Sequence, residues 1–247
     1  MATLIKNANV PKQYKSEVLN IARLNDRVWE FTFRHINPPI LNFEPGQFIS
    51  LKVSPMAYRT YSIASDYKNK EQLKIIVTAA HEGVGSNYLR QLKIGDEVNF
   101  IGPAGMLRLK NTAVPQINFF ATGTGLAPFI PMLHKLSDIN YEGSINLFFG
   151  VRNSTEMFYA EEIRKIGTIL KNFVCKVYFS QPQQDETFPY NAGRITLAIS
   201  DTSKFDNHAH YYLCGHPAMV DECEKTLWAN KIPEQNIIFE KFTRSIK

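Results

Sequence analysis

Only three cysteines occur in the 247 residues, Cys175, Cys214 and Cys223, widely spaced and odd in number. Such a set supports neither a disulfide framework nor a zinc site, and it falls short of the four thiolates of an all-cysteine iron–sulfur cluster. Any such cluster is expected to belong to a partner. No apolar run reaches membrane-spanning length, and the opening Met1-Ala2-Thr3-Leu4-Ile5-Lys6 lacks a secretory core and cleavage site. A cytoplasmic location without membrane contact is the resulting expectation. Dense basic runs are missing too, and the aromatics are mostly interleaved with apolar residues, which argues against a nucleic-acid partner. The net charge of +5 favours encounter with an acidic partner, although so small a charge also serves solubility alone.

What is present is the composition of a folded protein, 44% hydrophobic and 21% charged, at a length that accommodates two domains. Up to about residue 110 the pattern is of short strands: Tyr14 to Leu24, Val28 to Arg34, Gln47 to Val53, Arg59 to Ala64, Gln72 to Ala79 and Glu97 to Pro103. Turn signals such as Asn37-Pro38-Pro39 and Glu44-Pro45-Gly46 separate them. Six short antiparallel strands are best closed into a barrel, because closure removes exposed edges. One helix, about Ser86 to Leu92, interrupts the series. From about residue 115 the rhythm becomes strand, glycine turn, helix. Apolar strands at Ile117 to Ala121, Ser144 to Phe149, Phe173 to Phe179, His210 to Leu213 and Ile237 to Phe242 enclose helical patterns at Pro128 to Leu136, Ala160 to Leu170 and Ala218 to Asn230. This alternation predicts an α/β parallel sheet covered on both faces. A boundary near Asn111 to Pro115 gives domains of residues 1–112 and 113–247.

Four stretches carry chemistry. Arg59-Thr60-Tyr61-Ser62-Ile63-Ala64-Ser65 is a strand-like run in which alternation sets Arg59, Tyr61 and Ile63 on one face and Thr60, Ser62 and Ala64 on the other. A ring, a cation and a hydroxyl so spaced suit a ligand with a ring system and a phosphate tail, such as a flavin nucleotide; an ordinary half-buried strand competes with that reading. His81-Glu82-Gly83-Val84-Gly85-Ser86 ends a strand and opens a helix, with Gly83 and Gly85 allowing close backbone approach and Ser86 as the expected helix cap. Gly123-Thr124-Gly125-Leu126-Ala127-Pro128 follows the first strand of the second domain as a dinucleotide-binding turn does, with Pro128 where the usual fingerprint has its third glycine. Cys214-Gly215 ends a later parallel strand, at the end of the sheet where Gly123 and Gly125 are expected.

The order of these stretches resembles the ferredoxin–NADP reductase family, with its closest likeness to the bacterial ferredoxin/flavodoxin–NADP reductases. The resemblance also takes in Gly102-Pro103-Ala104-Gly105, Phe149-Gly150-Val151-Arg152, and Glu240 with Phe242. It implies an FAD-binding six-stranded antiparallel β-barrel followed by a Rossmann-like NADP-binding α/β domain. Arg59 would pair with the flavin pyrophosphate, with Thr60 in the same motif. Tyr61 would pack on the isoalloxazine, Ser62 would hydrogen-bond near flavin N5, and the backbone of Gly83, Val84, Gly85 and Ser86 would complete the phosphate site. Gly123, Thr124 and Gly125 would face the nicotinamide nucleotide's pyrophosphate. Cys214, Gly215 and Glu240 would lie near the nicotinamide ring, making Ser62, Cys214 and Glu240 the expected catalytic set.

Arg152 and Arg194 match arginines used for the ribose 2′-phosphate in bacterial relatives, which favours NADP; the run Ser180-Gln181-Pro182, where NADP-specific relatives often have Ser-Arg-Glu, keeps NAD open. Phe242, followed here by Thr243 to Lys247, is either a cover for the flavin or a core residue of the last strand. The implied function is an FAD-dependent exchange of electrons between NADP(H) and ferredoxin or flavodoxin, by hydride transfer between nicotinamide C4 and flavin N5. An NAD(P)H-dependent flavin reductase or oxygenase reductase is the alternative, and a flavin-binding regulatory subunit is the non-enzymatic one. A monomer is expected. Lys241, Arg244 and Lys247 are candidate steering charges for an acidic carrier.

Overall fold

The computed structural model describes residues 10–80, 82–200 and 206–242. Strict alternation builds the first sheet: in Phe48–Ser54 every second residue, Ile49, Leu51 and Val53, is buried. Six such strands, β1 (Lys12–Arg23), β2 (Val28–Asn37), β3 (Phe48–Ser54), β4 (Ala57–Ser62), β5 (Gln72–Thr78) and β6 (Glu97–Ala104), pair antiparallel in the order β4-β3-β6-β1-β2-β5. Their inward side chains, Phe31, Phe33, Ile49, Leu51 and Phe100 among them, fill the interior. The two edges, β4 and β5, meet just past the end of β4 at one antiparallel bridge, Ile63 with Ile75, reinforced by a 2.8 Å hydrogen bond from the Ala64 amide to the Lys74 carbonyl. The expected barrel is thus closed at one point, and the remainder of its seam is left open. The helix α1 (Val84–Gln91) lies between β5 and β6 and buries Leu89 in the barrel core. It begins two residues before Ser86, because Gly83 rather than the serine takes the capping position.

The second sheet is parallel throughout: β7 (Gln116–Thr122), β8 (Ser144–Val151), β9 (Phe173–Phe179), β10 (Asn191–Ala192), β11 (His210–Gly215) and β12 (Ile237–Lys241), in the order β10-β9-β8-β7-β11-β12. Its strands read as nearly continuous apolar runs because both faces are covered. Ile117, Phe119 and Ala121 of β7, with Tyr212 and Cys214 of β11, face a cluster shared with α2 (Phe129–Asp138) and α3 (Ala160–Ile169). Phe120, Tyr211 and Leu213 face the opposite cluster, with α4 (Leu197–Ser200) and α5 (Pro217–Ala229). The sequence pattern missed β10 and α4, which are too short to display a period.

The first of those clusters does not stop at the sheet. Val28, Ala64 and Ile76 of the barrel belong to the same buried core as Phe119 and Phe129. Polar contacts fix the relative orientation: Asn25 Nδ2 donates to the Glu156 carbonyl at 3.0 Å, and the Tyr159 hydroxyl donates to the buried Glu30 carboxylate, which also pairs with Lys74 at 3.3 Å. Among the described residues no helix is long and apolar enough to cross a membrane.

Candidate active site

The open seam of the barrel is a cleft of about 770 Å³. Beyond the Ile63–Ile75 bridge the two edges separate, and Arg59, Thr60, Tyr61 and Ser62 of β4 stand across from Ile76, Val77 and Thr78 of β5. Alternation sets Arg59 and Tyr61 on one face of β4 and Thr60 and Ser62 on the other. Because β4 is an edge strand, residues of both faces reach the cleft.

The start of α1 closes one end. Gly83 has extended backbone, and a Cβ added to it would point into open space; a Cβ on Gly85 would lie 2.6 Å from the Tyr61 hydroxyl and 3.1 Å from Arg59 Cγ. Glycine at 85 therefore lets the first helical turn press directly on the ring and the cation. Ser86 does not cap that helix: its hydroxyl donates to the Thr78 carbonyl at 3.4 Å and ties α1 to β5. Val84 contributes backbone to the turn while its side chain is exposed, and His81 lies outside the described residues.

Arg59 is half-buried, with Nη1 donating to the Tyr58 carbonyl at 2.8 Å. Burial pushes the Tyr61 phenol up to about 12, against the opposing charge of Arg59, so the two side chains share one environment. Ser62 is buried, and its Oγ has no hydrogen-bond partner of full geometry. A buried hydroxyl left so costs about 1–3 kcal/mol unless a ligand completes it. From the other domain Glu240 enters the same cleft; burial pushes its carboxyl up to about 7, countered in part by the Ser62 hydroxyl. An arginine, a ring, an orphaned hydroxyl and a glycine turn at a helix start fit a flavin nucleotide.

The second cleft, about 600 Å³, lies at the carboxyl ends of β7, β8, β9 and β11, where the strand order reverses between β7 and β11. Such a switch point is where open α/β sheets bind ligands. After β7 the chain turns at Gly123, φ +52°, into a single 3₁₀ turn, Gly123–Leu126, before Pro128 caps α2. Gly125 is required by packing, since a Cβ there would lie 2.2 Å from the Cys214 carbonyl oxygen. Gly215, φ +134°, is equally constrained: its Cβ would meet Thr122 Oγ1 at 2.3 Å, and that hydroxyl oxygen accepts the His216 amide at 2.9 Å. Gly123, Thr124, Arg152 and Arg194 line this cleft, whereas Gly125 and Gly215 shape it from behind.

Cys214 lines neither cleft. It is fully buried, and its β11 position pairs in register with Glu240 of β12. Burial, with the Glu240 charge, pushes its thiol well up, so it is a protonated core group beneath the cleft floor. The expectation that it would stand at the reacting rings is corrected to that extent.

Thr78, Thr124 and Phe242 line both clefts, which makes them one continuous site. Phe242 packs against the core as well, and its amide donates to the Gly215 carbonyl at 3.0 Å, so the side chain stands on the core and at the cleft junction together. Residues 243–247, with Arg244 and Lys247, lie outside the described residues. The sequence reading missed Thr78, Arg27 and Glu156, all of which line the second cleft. None sits in a glycine turn, and Arg27 reaches this cleft only through the domain packing.

The Oxidoreductase FAD-binding domain family matches residues 16–109 and the Oxidoreductase NAD-binding domain family matches residues 119–225. The chain belongs to the ferredoxin reductase-type family. This reductase-family chain is 28% identical over 234 residues to the toluate 1,2-dioxygenase electron transfer component of Pseudomonas putida, covering 94% of this chain and 68% of that protein. It is 25% identical over 234 residues to the propane 2-monooxygenase reductase component of Rhodococcus jostii, covering 93% and 63%. The chain thus spans about two thirds of the length of these relatives. Among solved structures, the Amycolatopsis cytochrome P450 reductase GcoB superposes with a TM-score of 0.87 at 24% identity, over 95% of this chain and 71% of that one. The coarse function is therefore that of an FAD- and nicotinamide-nucleotide-binding oxidoreductase.

Proposed function

We propose that the chain is the flavin-carrying reductase of an oxygenase system, drawing hydride from a nicotinamide nucleotide and passing electrons to an oxygenase or to its iron–sulfur carrier. The observation that carries the redox reading is the continuity of the two clefts across Thr78, Thr124 and Phe242, since hydride transfer requires two rings at contact distance with water excluded. The oxygenase assignment rests on relatives that are themselves named as electron-transfer or reductase components of oxygenases. A bound flavin supplies the exchange between a two-electron hydride donor and a one-electron acceptor.

The chain's residues do the remaining work. Arg59 and the amides opening α1 would hold the phosphates, Tyr61 would support the ring system, and the buried Ser62 hydroxyl, beside Glu240, would meet its polar edge. Thr124 and the Gly123 turn receive the nucleotide. Phe242, which lines both clefts, would cover their junction and help to exclude water there. Glu240, with its carboxyl near neutrality, holds or releases a proton beside Ser62.

The test is anaerobic reduction of the yellow FAD-loaded protein by NADH or NADPH, followed by transfer to a two-iron ferredoxin, to the oxygenase components of the same host, and to flavodoxin. Transfer to the oxygenase side supports the proposal. Transfer only to flavodoxin, or only to a ferredoxin with no oxygenase partner, favours the ferredoxin/flavodoxin–NADP reductase reading. A colourless protein that gains no colour with added FAD refutes both.

A further inference from the structure

The two strand ends that would meet the ribose of a nicotinamide nucleotide already hold anions of the chain's own. Here β8 and β9 continue side by side beyond the sheet, the Gln181 amide donating to the Arg152 carbonyl at 2.8 Å. Arg152 is one of the two arginines, with Arg194, that the family resemblance matched to a 2′-phosphate contact. Its Nε donates to Glu156 Oε1 at 2.6 Å, an Nη bonds the same oxygen, and its amide reaches Oε2 at 3.4 Å. Arg27, arriving from the barrel, lies 3.5 Å from the same carboxylate. Burial alone would raise the Glu156 carboxyl, but the bonds and charge of Arg152, with the charge of Arg27, hold it lowered.

A second carboxylate fills the adjacent backbone donors. Glu186 accepts the Ser154 amide on both oxygens, at 3.2 and 3.3 Å, and the Gln183 amide at 3.0 Å. Ser154 is two residues from both Arg152 and Glu156, so both carboxylates sit around one short loop. Converging amides beside an arginine would ordinarily form an anion site. Here the anion is built in, and Gln181 adds no positive charge.

We propose that Glu156 and Glu186 are specificity-determining residues that exclude a 2′-phosphate, so that the second cleft takes NADH in preference to NADPH. This rests on the oxidoreductase reading above. A 2′-phosphate brings up to two further negative charges beside two carboxylates, and it meets an Arg152 whose Nε and Nη2 edge Glu156 already occupies. A ribose 2′-hydroxyl carries no such charge and can donate to a carboxylate. Arg194, exposed on the same cleft, is left for the pyrophosphate that both nucleotides share.

The experiment measures two things on the FAD-loaded protein and on its E156Q, E186Q and doubly substituted variants. One is the ratio of kcat/KM for NADPH and NADH; the other is calorimetric affinity for 2′-phosphorylated AMP against 5′-AMP, which requires no turnover. The glutamines keep an acceptor oxygen in place, and retained flavin absorbance reports an intact fold. The unsubstituted protein is expected to favour NADH at least tenfold. Each substitution should raise the NADPH to NADH ratio about tenfold, and should raise relative affinity for the 2′-phosphorylated ligand in step. A preference of the unsubstituted protein for NADPH, or ratios unmoved in all three variants, would overturn the inference while leaving the oxidoreductase reading intact. Failure of both nucleotides to reduce the flavin would overturn that reading and the inference with it.

Discussion

Replacing Glu240 by glutamine tests whether a carboxyl is buried where the two clefts meet. Burial raises its pKa from 4.5 to about 7, with the Ser62 hydroxyl pulling the other way. The folded value exceeds the unfolded one, so the group's contribution to stability is fully present below about pH 4.5 and is lost as pH rises through 7. At about 1.4 kcal/mol per tenfold difference in proton affinity, the gap amounts to about 3 kcal/mol. Glutamine has nearly the shape of the protonated acid and does not titrate. In urea unfolding of the flavin-free chain, the wild-type protein should lose about 2–3 kcal/mol relative to Glu240→Gln between pH 5 and pH 8. Curves that stay parallel within about 0.5 kcal/mol over that range would refute the reasoning, because an open, solvated carboxyl has nothing to lose there.

Three further outcomes follow from the same geometry. Arg59→Ala removes a charge-assisted partner from the seam and should weaken FAD binding about tenfold to a hundredfold in fluorescence titration; unchanged affinity would make Arg59 a surface residue only. Gly85→Ala puts a methyl 2.6 Å from the Tyr61 hydroxyl, and should displace that ring and cost at least about tenfold in FAD affinity while circular dichroism stays native. Finally, burial pushes the Cys175 and Cys223 thiols up to about 12 and Cys214 well up. The folded chain should therefore resist aromatic disulfide reagents at pH 8 and yield all three thiols in denaturant; rapid labelling of native Cys214 would show that the cleft floor is open.

The elements of both sheets were legible because their physics is periodic or conspicuous. Phe173–Phe179 is bounded by a helix end and a polar loop, and its apolar run fixes the strand without reference to anything distant. Arg59 to Ser62, Gly83 and Gly123 were found because cations beside rings, and glycines after strands, are local signals. Ser86 was misjudged since a serine before a helix is a good cap in general, and only the position of Thr78 reveals that its hydroxyl is engaged elsewhere. Cys214 looked exposed because strand ends face the crevice, yet its side chain falls on the covered face of β11. Glu156 and Glu186 were invisible. Their meaning depends on Arg152, Arg27 and two backbone amides, from segments that come together only in the folded chain.

The common core of Val28, Ala64 and Ile76 with Phe119 and Phe129 has a consequence for recombination. A barrel exchanged for that of another reductase would bring its own side chains to those three positions, against a nucleotide domain packed for the originals. Misfit there would pass straight to the spacing between Ser62 and Phe242, since Ala64 lies two residues from the first and Phe242 packs on the same cluster. Swapping nucleotide preference by transplanting a whole domain would thus alter ring-to-ring distance as well, whereas change confined to the loops after β8 and β9 would leave that distance untouched.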